Sequence, residues 1–147
     1  NGVVHTTEEL DEEYSYTPKY KVAHEGSQVA IIAAGSFYQK GENVAHLLAE
    51  KGIDATLINP RYLHAVDAEA LESLKARHQL VVTLEDGCKD GGFGERIASY
   101  YGTSDMKVLV CGVKKNLYDR FDHQQLLADN RLLANQIADD ILNIIKK

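Results

Sequence analysis

The 147-residue sequence has no tryptophan, one methionine, two prolines and two cysteines. The cysteines, Cys88 and Cys111, are far apart and form no CxxC pair, which is typical of a reducing compartment and not of a disulfide scaffold. No apolar run approaches the roughly 20 residues that a membrane-spanning helix needs. We therefore expect a globular protein of the cytoplasm.

Basic residues are not in excess over acidic residues. The formal net charge is −6, which argues against nucleic acid as a partner. The acidity is concentrated at one end, because residues 1–25 carry six acidic residues and two lysines. The sequence begins with Asn1 and not with methionine, so we expect a piece of a longer protein. In this interpretation residues 1–19 are a linker or arm, and residues 20–147 form one domain.

Short apolar runs alternate with helical patterns through the rest of the chain. The predicted strands cover residues 29–34, 55–58, 80–84 and 106–110, and residues 20–23 could add an edge strand. The predicted helices lie near residues 44–51, 67–74, 95–101, 122–129 and 130–147. Gly52 is placed to end the first helix, and Asp67 to cap the second. This alternation predicts an α/β fold with parallel strands and helices on both faces of the sheet.

In such a sheet, ligands bind where the strands end at their carboxyl side. Four short polar or glycine-containing segments follow the predicted strands. They are residues 35–36, 59–61, 85–87 and 111–112. We therefore expect any functional site at this edge of the sheet.

The segment Gly91-Gly92-Phe93-Gly94 opens a predicted helix, where backbone amides could bind an anion. It matches no established phosphate-binding pattern, and acidic residues lie just upstream of it. We interpret the glycines mainly as a tight turn that lets the helix approach a strand. Glu85 and Asp86 could serve as an acid/base pair or as metal ligands, but neighbouring residues of a strand point to opposite sides. A role in structural hydrogen bonding is therefore favoured for them.

The six histidines show no metal-ligand spacing. His64 is the one that we single out, because it lies in the loop between Arg61 and Asp67, whereas His46 and His78 are expected to be solvated. Cys88 has no identifiable base, and no serine lies in a GxSxG context. The residues thus indicate a fold without a catalytic, cofactor-binding or metal-binding constellation.

Three stretches carry a resemblance to transketolase-type C-terminal domains. Residues 59–67, NPRYLHAVD, resemble the family's RFxKPLD loop, although the lysine and proline of that pattern are His64 and Ala65 here. Residues 84–94 resemble its E(E/D)(N/G)…GGxG segment. Residues 113–121, VKKNLYDRF, resemble a stretch of one subfamily, the 1-deoxy-D-xylulose-5-phosphate synthases.

The resemblance implies a three-layer α/β/α domain with a mixed, mostly parallel five-stranded sheet and one antiparallel edge strand. It also implies a homodimeric parent enzyme that condenses pyruvate with glyceraldehyde 3-phosphate, using thiamine diphosphate and Mg²⁺. In that family the cofactor lies between two preceding domains. No catalytic residue, cofactor or metal is therefore expected on this chain.

The residues that we assign to turns and to contacts with the preceding domain or with a partner subunit are Arg61, His64, Asp67, Glu85, Gly91, Gly92 and Gly94. Two alternatives remain open at this point. One is the corresponding domain of a 2-oxoacid dehydrogenase β subunit, which shares the GGFG segment. The other is a free-standing, flavodoxin-like module that binds phosphate or a nucleotide.

Overall fold

The computed structural model describes residues 19–61, 66–88, 92–113 and 123–145. Its centre is one sheet of five strands. They are β1 (Lys21–His24), β2 (Gln28–Ala33), β3 (Thr56–Asn59), β4 (His78–Cys88) and β5 (Lys107–Val113). The strand order is β1-β3-β2-β4-β5. All neighbours are parallel except β1, which pairs antiparallel with β3.

The sheet is assembled from strands that suit a position between two helical layers. All residues of β2 after Gln28 are buried, as expected for a strand that is covered on both faces. β1, by contrast, is exposed at each of its four residues. Such a short edge strand carrying Lys21 and His24 presents charge and polarity where an apolar edge would invite aggregation.

Five helices connect and flank the strands. They are α1 (Tyr38–Glu50), α2 (Ala68–Leu74), α3 (Phe93–Tyr101), α4 (His123–Asp129) and α5 (Ala134–Ile145), and a 3-10 turn at Gly35–Phe37 precedes α1. Gly52 ends α1 with φ of +86°, and the backbone N–H groups of Gly52 and Ile53 bond back to carbonyls of the last turn. Asp67 caps α2 by accepting from the Ala70 N–H at 3.1 Å. Both predicted helix ends are confirmed.

Each face of the sheet has its own hydrophobic cluster. On one face, Leu48 of α1, Leu127 of α4 and Ile141 of α5 pack against the strands. On the other, Leu71 of α2 and Ile97 of α3 do so. Each fully buried Leu or Ile side chain contributes roughly 1.5–3 kcal/mol relative to its exposed state. The predicted three-layer fold with a mixed, mostly parallel five-stranded sheet is confirmed.

Several predicted boundaries were wrong. β4 begins at His78 and continues to Cys88, beyond the apolar run at 80–84, because its pairing with β5 resumes after an irregularity between Leu84 and Cys88. The last helix begins at Ala134 and not at residue 130. Arg131 has φ of +55°, and the N–H of Leu132 bonds back to Leu127, so the chain turns there before α5 begins.

Candidate functional site

The carboxyl ends of the parallel strands β2, β3, β4 and β5 lie at one edge of the sheet. β1 runs in the opposite direction and pairs Lys21 with Asn59, so the start of β1 lies beside the end of β3. The chain therefore enters the domain at the carboxyl edge. This is the edge where the sequence places the polar loops that resemble the transketolase family.

Glu85 is a buried carboxylate in β4, with 6% of its surface exposed. One of its oxygens, Oε1, accepts from the Phe93 N–H at 3.2 Å, and the other, Oε2, accepts from the Gly94 N–H at 2.8 Å. These are the first two N–H groups of α3, which have no acceptor within the helix. A negative charge at a helix N-terminus also interacts favourably with the helix dipole. Glu85 therefore fastens the start of α3 to the end of β4.

Gly94 allows this close approach. A Cβ atom at this position would lie 2.4 Å from Thr83 Oγ1, 2.6 Å from Val110 Cγ1 and 3.2 Å from Glu85 Oε2. Real Cβ atoms do not come so near to side chains of packed strands. The helix can rest directly on β4 and β5 only because residue 94 has no side chain.

Asp67 joins two parts of the chain that are 47 residues apart. While its Oδ1 caps α2, its Oδ2 accepts from the backbone N–H of Tyr20 at 2.9 Å. Arg61 also contacts the beginning of the domain, because its Nε donates to the backbone oxygen of Lys19 at 3.0 Å. Arg61 itself lies in the left-handed region, with φ of +32°, and its N–H donates to Asn59 Oδ1 at 3.2 Å.

Tyr20 links these contacts to Glu85. Its ring is 9% exposed and meets the ring of Phe93 edge to face, with 6.5 Å between centroids. Burial raises the pKa of the Tyr20 phenol, and the nearby backbone of Asp67 only partly offsets this effect. The group of Tyr20, Arg61, Asp67, Glu85 and Phe93 is called the Tyr20 corner below. It unites the beginning of the domain with two of the three stretches that carry the family resemblance.

The chemistry available at the Tyr20 corner is that of structural contacts. The amides that could bind a phosphate at the start of α3 already hold the Glu85 carboxylate. Among the side chains that the structure describes, no group of three or more His, Cys, Asp or Glu residues is arranged to hold a metal ion. The start of α3 therefore does not fit the diphosphate group of thiamine diphosphate.

Some of the predicted residues lie outside the described part of the chain. They are His64 and Gly91, together with residues 114–122 of the third resembling stretch. The side chain of Asp86 is also outside it. Gly92, by contrast, lies directly before α3 as its N-cap residue, in an extended conformation.

A second polar junction, which the sequence did not indicate, lies at the opposite edge of the sheet. His78 was expected to be solvated, and this was only partly right: it is half-buried, with Nδ1 2.9 Å from the Leu74 carbonyl and Nε2 2.7 Å from Thr56 Oγ1. A carbonyl can only accept, so Nδ1 carries the proton. Thr56 Oγ1 in turn accepts from the Gly26 N–H at 2.8 Å and donates its own proton to Nε2.

The amino edge also carries a shallow depression of about 520 Å³, lined in part by Lys75, His78 and Ser104. It contains none of the residues of the Tyr20 corner. No helix among the described residues is both long and apolar enough to cross a membrane.

A five-stranded mixed sheet between two helical layers, with a glycine-rich helix start held at its carboxyl edge, defines a transketolase-type C-terminal domain. A model of the family described as "Transketolase, C-terminal domain" matches residues 18–137. The chain belongs to this family.

Curated relatives of the chain include several 1-deoxy-D-xylulose-5-phosphate synthases. The chain is 36% identical over 130 residues to that of Rippkaea orientalis, a match that covers 86% of this chain and 20% of the relative. It is 35% identical over 126 residues to 1-deoxy-D-xylulose-5-phosphate synthase 2 of Kitasatospora griseola, with 84% of this chain and 20% of the relative covered. The chain thus spans about a fifth of the length of these relatives, and the resemblance to their C-terminal domain is confirmed.

A solved structure described as "Split gene transketolase, inactive beta4 tetramer" has a similar fold. The TM-score is 0.72 at 25% sequence identity, and the match covers 85% of this chain and 40% of that one.

Proposed function

We propose that this chain is the C-terminal interface domain of a 1-deoxy-D-xylulose-5-phosphate synthase. The complete enzyme condenses pyruvate with glyceraldehyde 3-phosphate, releases carbon dioxide and forms 1-deoxy-D-xylulose 5-phosphate, which feeds isoprenoid, thiamine and pyridoxal synthesis. Thiamine diphosphate and Mg²⁺ are supplied in the preceding domains of a cytoplasmic homodimer. Residues 1–19 act as the linker or arm, and residues 20–147 as the domain.

The observation that carries the proposal is the convergence at the Tyr20 corner. Three parts of the chain meet there: the point at which the chain enters the domain, the Arg61–Asp67 loop and the start of α3. The preceding chain arrives on this surface, and this favours it as the surface that faces the preceding domain. Arg61 is exposed there, while Glu85 is buried and bonded to the backbone of its own chain.

In this proposal the residues support catalysis without taking part in it. Glu85 and Gly94 hold α3 against the sheet, and Asp67 and Arg61 hold the beginning of the domain. The expected result is a rigid surface that can be matched by an adjoining domain or by a second subunit. The chain alone should not turn over substrate.

The test is to express the complete reading frame and to assay it with thiamine diphosphate, Mg²⁺, pyruvate and glyceraldehyde 3-phosphate. This chain alone serves as the control. We expect product only from the complete protein. Product from this chain alone would contradict the proposal, as would a reading frame without thiamine-binding domains upstream.

The same preparation, supplemented with a matching α subunit and a lipoyl domain, distinguishes the 2-oxoacid dehydrogenase alternative. A β subunit of that kind would need an α subunit and would transfer an acyl group to a lipoyl-bearing partner. Pyruvate-dependent reduction of a lipoyl domain, without deoxyxylulose phosphate formation, would replace our assignment with this one.

A further inference from the structure

The peptide bond between Lys19 and Tyr20 is held on both of its polar sides. Its carbonyl oxygen accepts from Arg61 Nε at 3.0 Å, and its N–H donates to Asp67 Oδ2 at 2.9 Å. Here two charged side chains from one loop bind the same peptide group.

Both holding residues are themselves fixed by their local structure. Asp67 is the N-cap of α2, so the bond from its Oδ1 to the Ala70 N–H sets the direction of its carboxylate. Arg61 adopts φ of +32°, which L-residues rarely do, and its own N–H is bonded to the Asn59 side chain. The Asp67 carboxylate is therefore presented to the Lys19–Tyr20 peptide in a defined direction, and the backbone that carries the Arg61 side chain is constrained.

The side chain of Tyr20 provides a third attachment of the chain next to the Lys19–Tyr20 peptide. It is 9% exposed and packs on Phe93, whose N–H is bonded to Glu85. β1, which follows directly, is exposed at all four residues. Tyr20 is thus more deeply buried than any residue of the strand that follows it.

We propose that Arg61 and Asp67 form a clamp on the Lys19–Tyr20 peptide that sets the direction in which the preceding chain leaves this domain. They are positioning residues: they do not touch substrate, but they orient this domain relative to the part of the protein before residue 19. The effect on catalysis rests on the function proposed above. The clamp itself can be tested without any activity.

The first experiment measures hydrogen exchange of the Tyr20 amide in this chain. Asp67→Ser is the critical variant, because serine is a good N-cap for α2 but has no second oxygen for Tyr20. We expect the Tyr20 amide to exchange at least about tenfold faster in Asp67→Ser, while the amides of α2 keep their rates. Arg61→Ala, which keeps the Cβ atom and so the same backbone constraint, should accelerate the same amide.

The matched control is Asp54→Ser, an exposed aspartate whose partner is His24 at 2.7 Å. It should leave Tyr20 exchange unchanged. Equal Tyr20 rates in the wild type and in Asp67→Ser would overturn the clamp. So would an acceleration that is uniform over the domain, because it would report a general loss of stability.

The second experiment places the variants in the complete protein. If the clamp positions the catalytic domains, Asp67→Ser and Arg61→Ala should lower kcat by about tenfold with little change in KM for pyruvate, since a small misplacement far from the reacting atoms affects turnover. Faster Tyr20 exchange combined with wild-type kcat would overturn the positioning role. An inactive wild-type protein would instead count against the proposed function, and the exchange experiment would still decide on the clamp.

Discussion

The two ends of β4 are fastened by different chemistry. At the carboxyl end, the Glu85 carboxylate accepts from the N–H groups of Phe93 and Gly94 at the start of α3. At the amino end, the neutral side chains of His78 and Thr56 connect the end of α2 to the loop before β2. One junction uses a charge and two backbone donors, and the other uses a chain of hydrogen bonds between uncharged groups.

The two ends of β4 also differ in how strictly the packing around them limits the residues. The carboxyl end also requires a residue without a side chain at Gly94 and is continued by Phe93 into the Tyr20 corner. The amino end borders an open depression and depends on a histidine that is half-exposed. The end with the buried carboxylate and the sterically required glycine is the end at which we propose the domain interface, as expected of a surface that must keep its shape.

The largest effect should follow from Glu85→Ala. It leaves two N–H groups without an acceptor in a buried place, and we expect a loss of about 3 kcal/mol in the free energy of unfolding. Urea unfolding of this chain, followed by circular dichroism, measures it. Glu50→Ala, at an exposed position of α1, is the control and should change stability by less than about 0.5 kcal/mol. A loss at Glu85 below about 1 kcal/mol would mean that the carboxylate does not hold α3.

Gly94→Ala should be the next largest change. The new methyl group would overlap Thr83 and Val110, whose branched side chains have little freedom to move. We expect about 2 kcal/mol of destabilisation in the same urea experiment. Adding Thr83→Ala removes the nearest obstacle and should recover part of the loss, so strict additivity of the two changes would contradict the proposed contact.

The sheet, the layers and two helix caps could be predicted because they depend on local patterns. Apolar runs mark β2 and the middle of β4, Gly52 is placed after an amphipathic stretch, and Asp67 precedes the first turn of α2. The resemblance to a known family added the residues around Arg61 and Glu85. These are the features that a single stretch of sequence can encode.

The contacts that bring these residues together at the Tyr20 corner and at the His78 junction could not be predicted. Lys19 and Arg61 are 42 residues apart, and Thr56 and His78 are 22 apart, so no periodicity relates them. The far end of β4 was missed because its residues after Leu84 are polar and only the pairing with β5 makes them a strand. Side-chain contacts over such distances follow from the packed fold and not from spacing.

Substituting one buried threonine near each end of β4 compares the two junctions directly. Thr56 Oγ1 is bonded on both sides, whereas Thr83 Oγ1 is buried and has no hydrogen-bond partner among the described residues. Thr56→Val should therefore destabilise the chain by about 1 kcal/mol, and Thr83→Val should stabilise it by about 1 kcal/mol, since it replaces an unsatisfied hydroxyl by a methyl group. Thermal unfolding of both variants checks the opposite signs, and equal signs would show that Thr83 is satisfied in solution.

The smallest effect should be the pH dependence that His78 introduces. Burial lowers the pKa of His78, the Leu74 backbone opposes this, Arg77 lowers the pKa further and Glu25 raises it. The unfolded chain therefore takes up a proton at a higher pH than the folded one. The stability that neutral His78 contributes is present above its ordinary pKa of about 6.5 and is lost as the pH falls through the folded pKa.

The free energy of unfolding of the wild type should thus decrease between about pH 7.5 and about pH 5 by more than that of His78→Gln, whose side chain does not titrate. Taking the difference between the two proteins cancels the contributions of the other histidines. The effect is small because water reaches the half-exposed ring and stabilises its charged form. Identical pH profiles of the two proteins would mean that the hydrogen bonds to Thr56 and Leu74 tolerate a protonated ring. Protonation of His78 would then not weaken the amino end of β4.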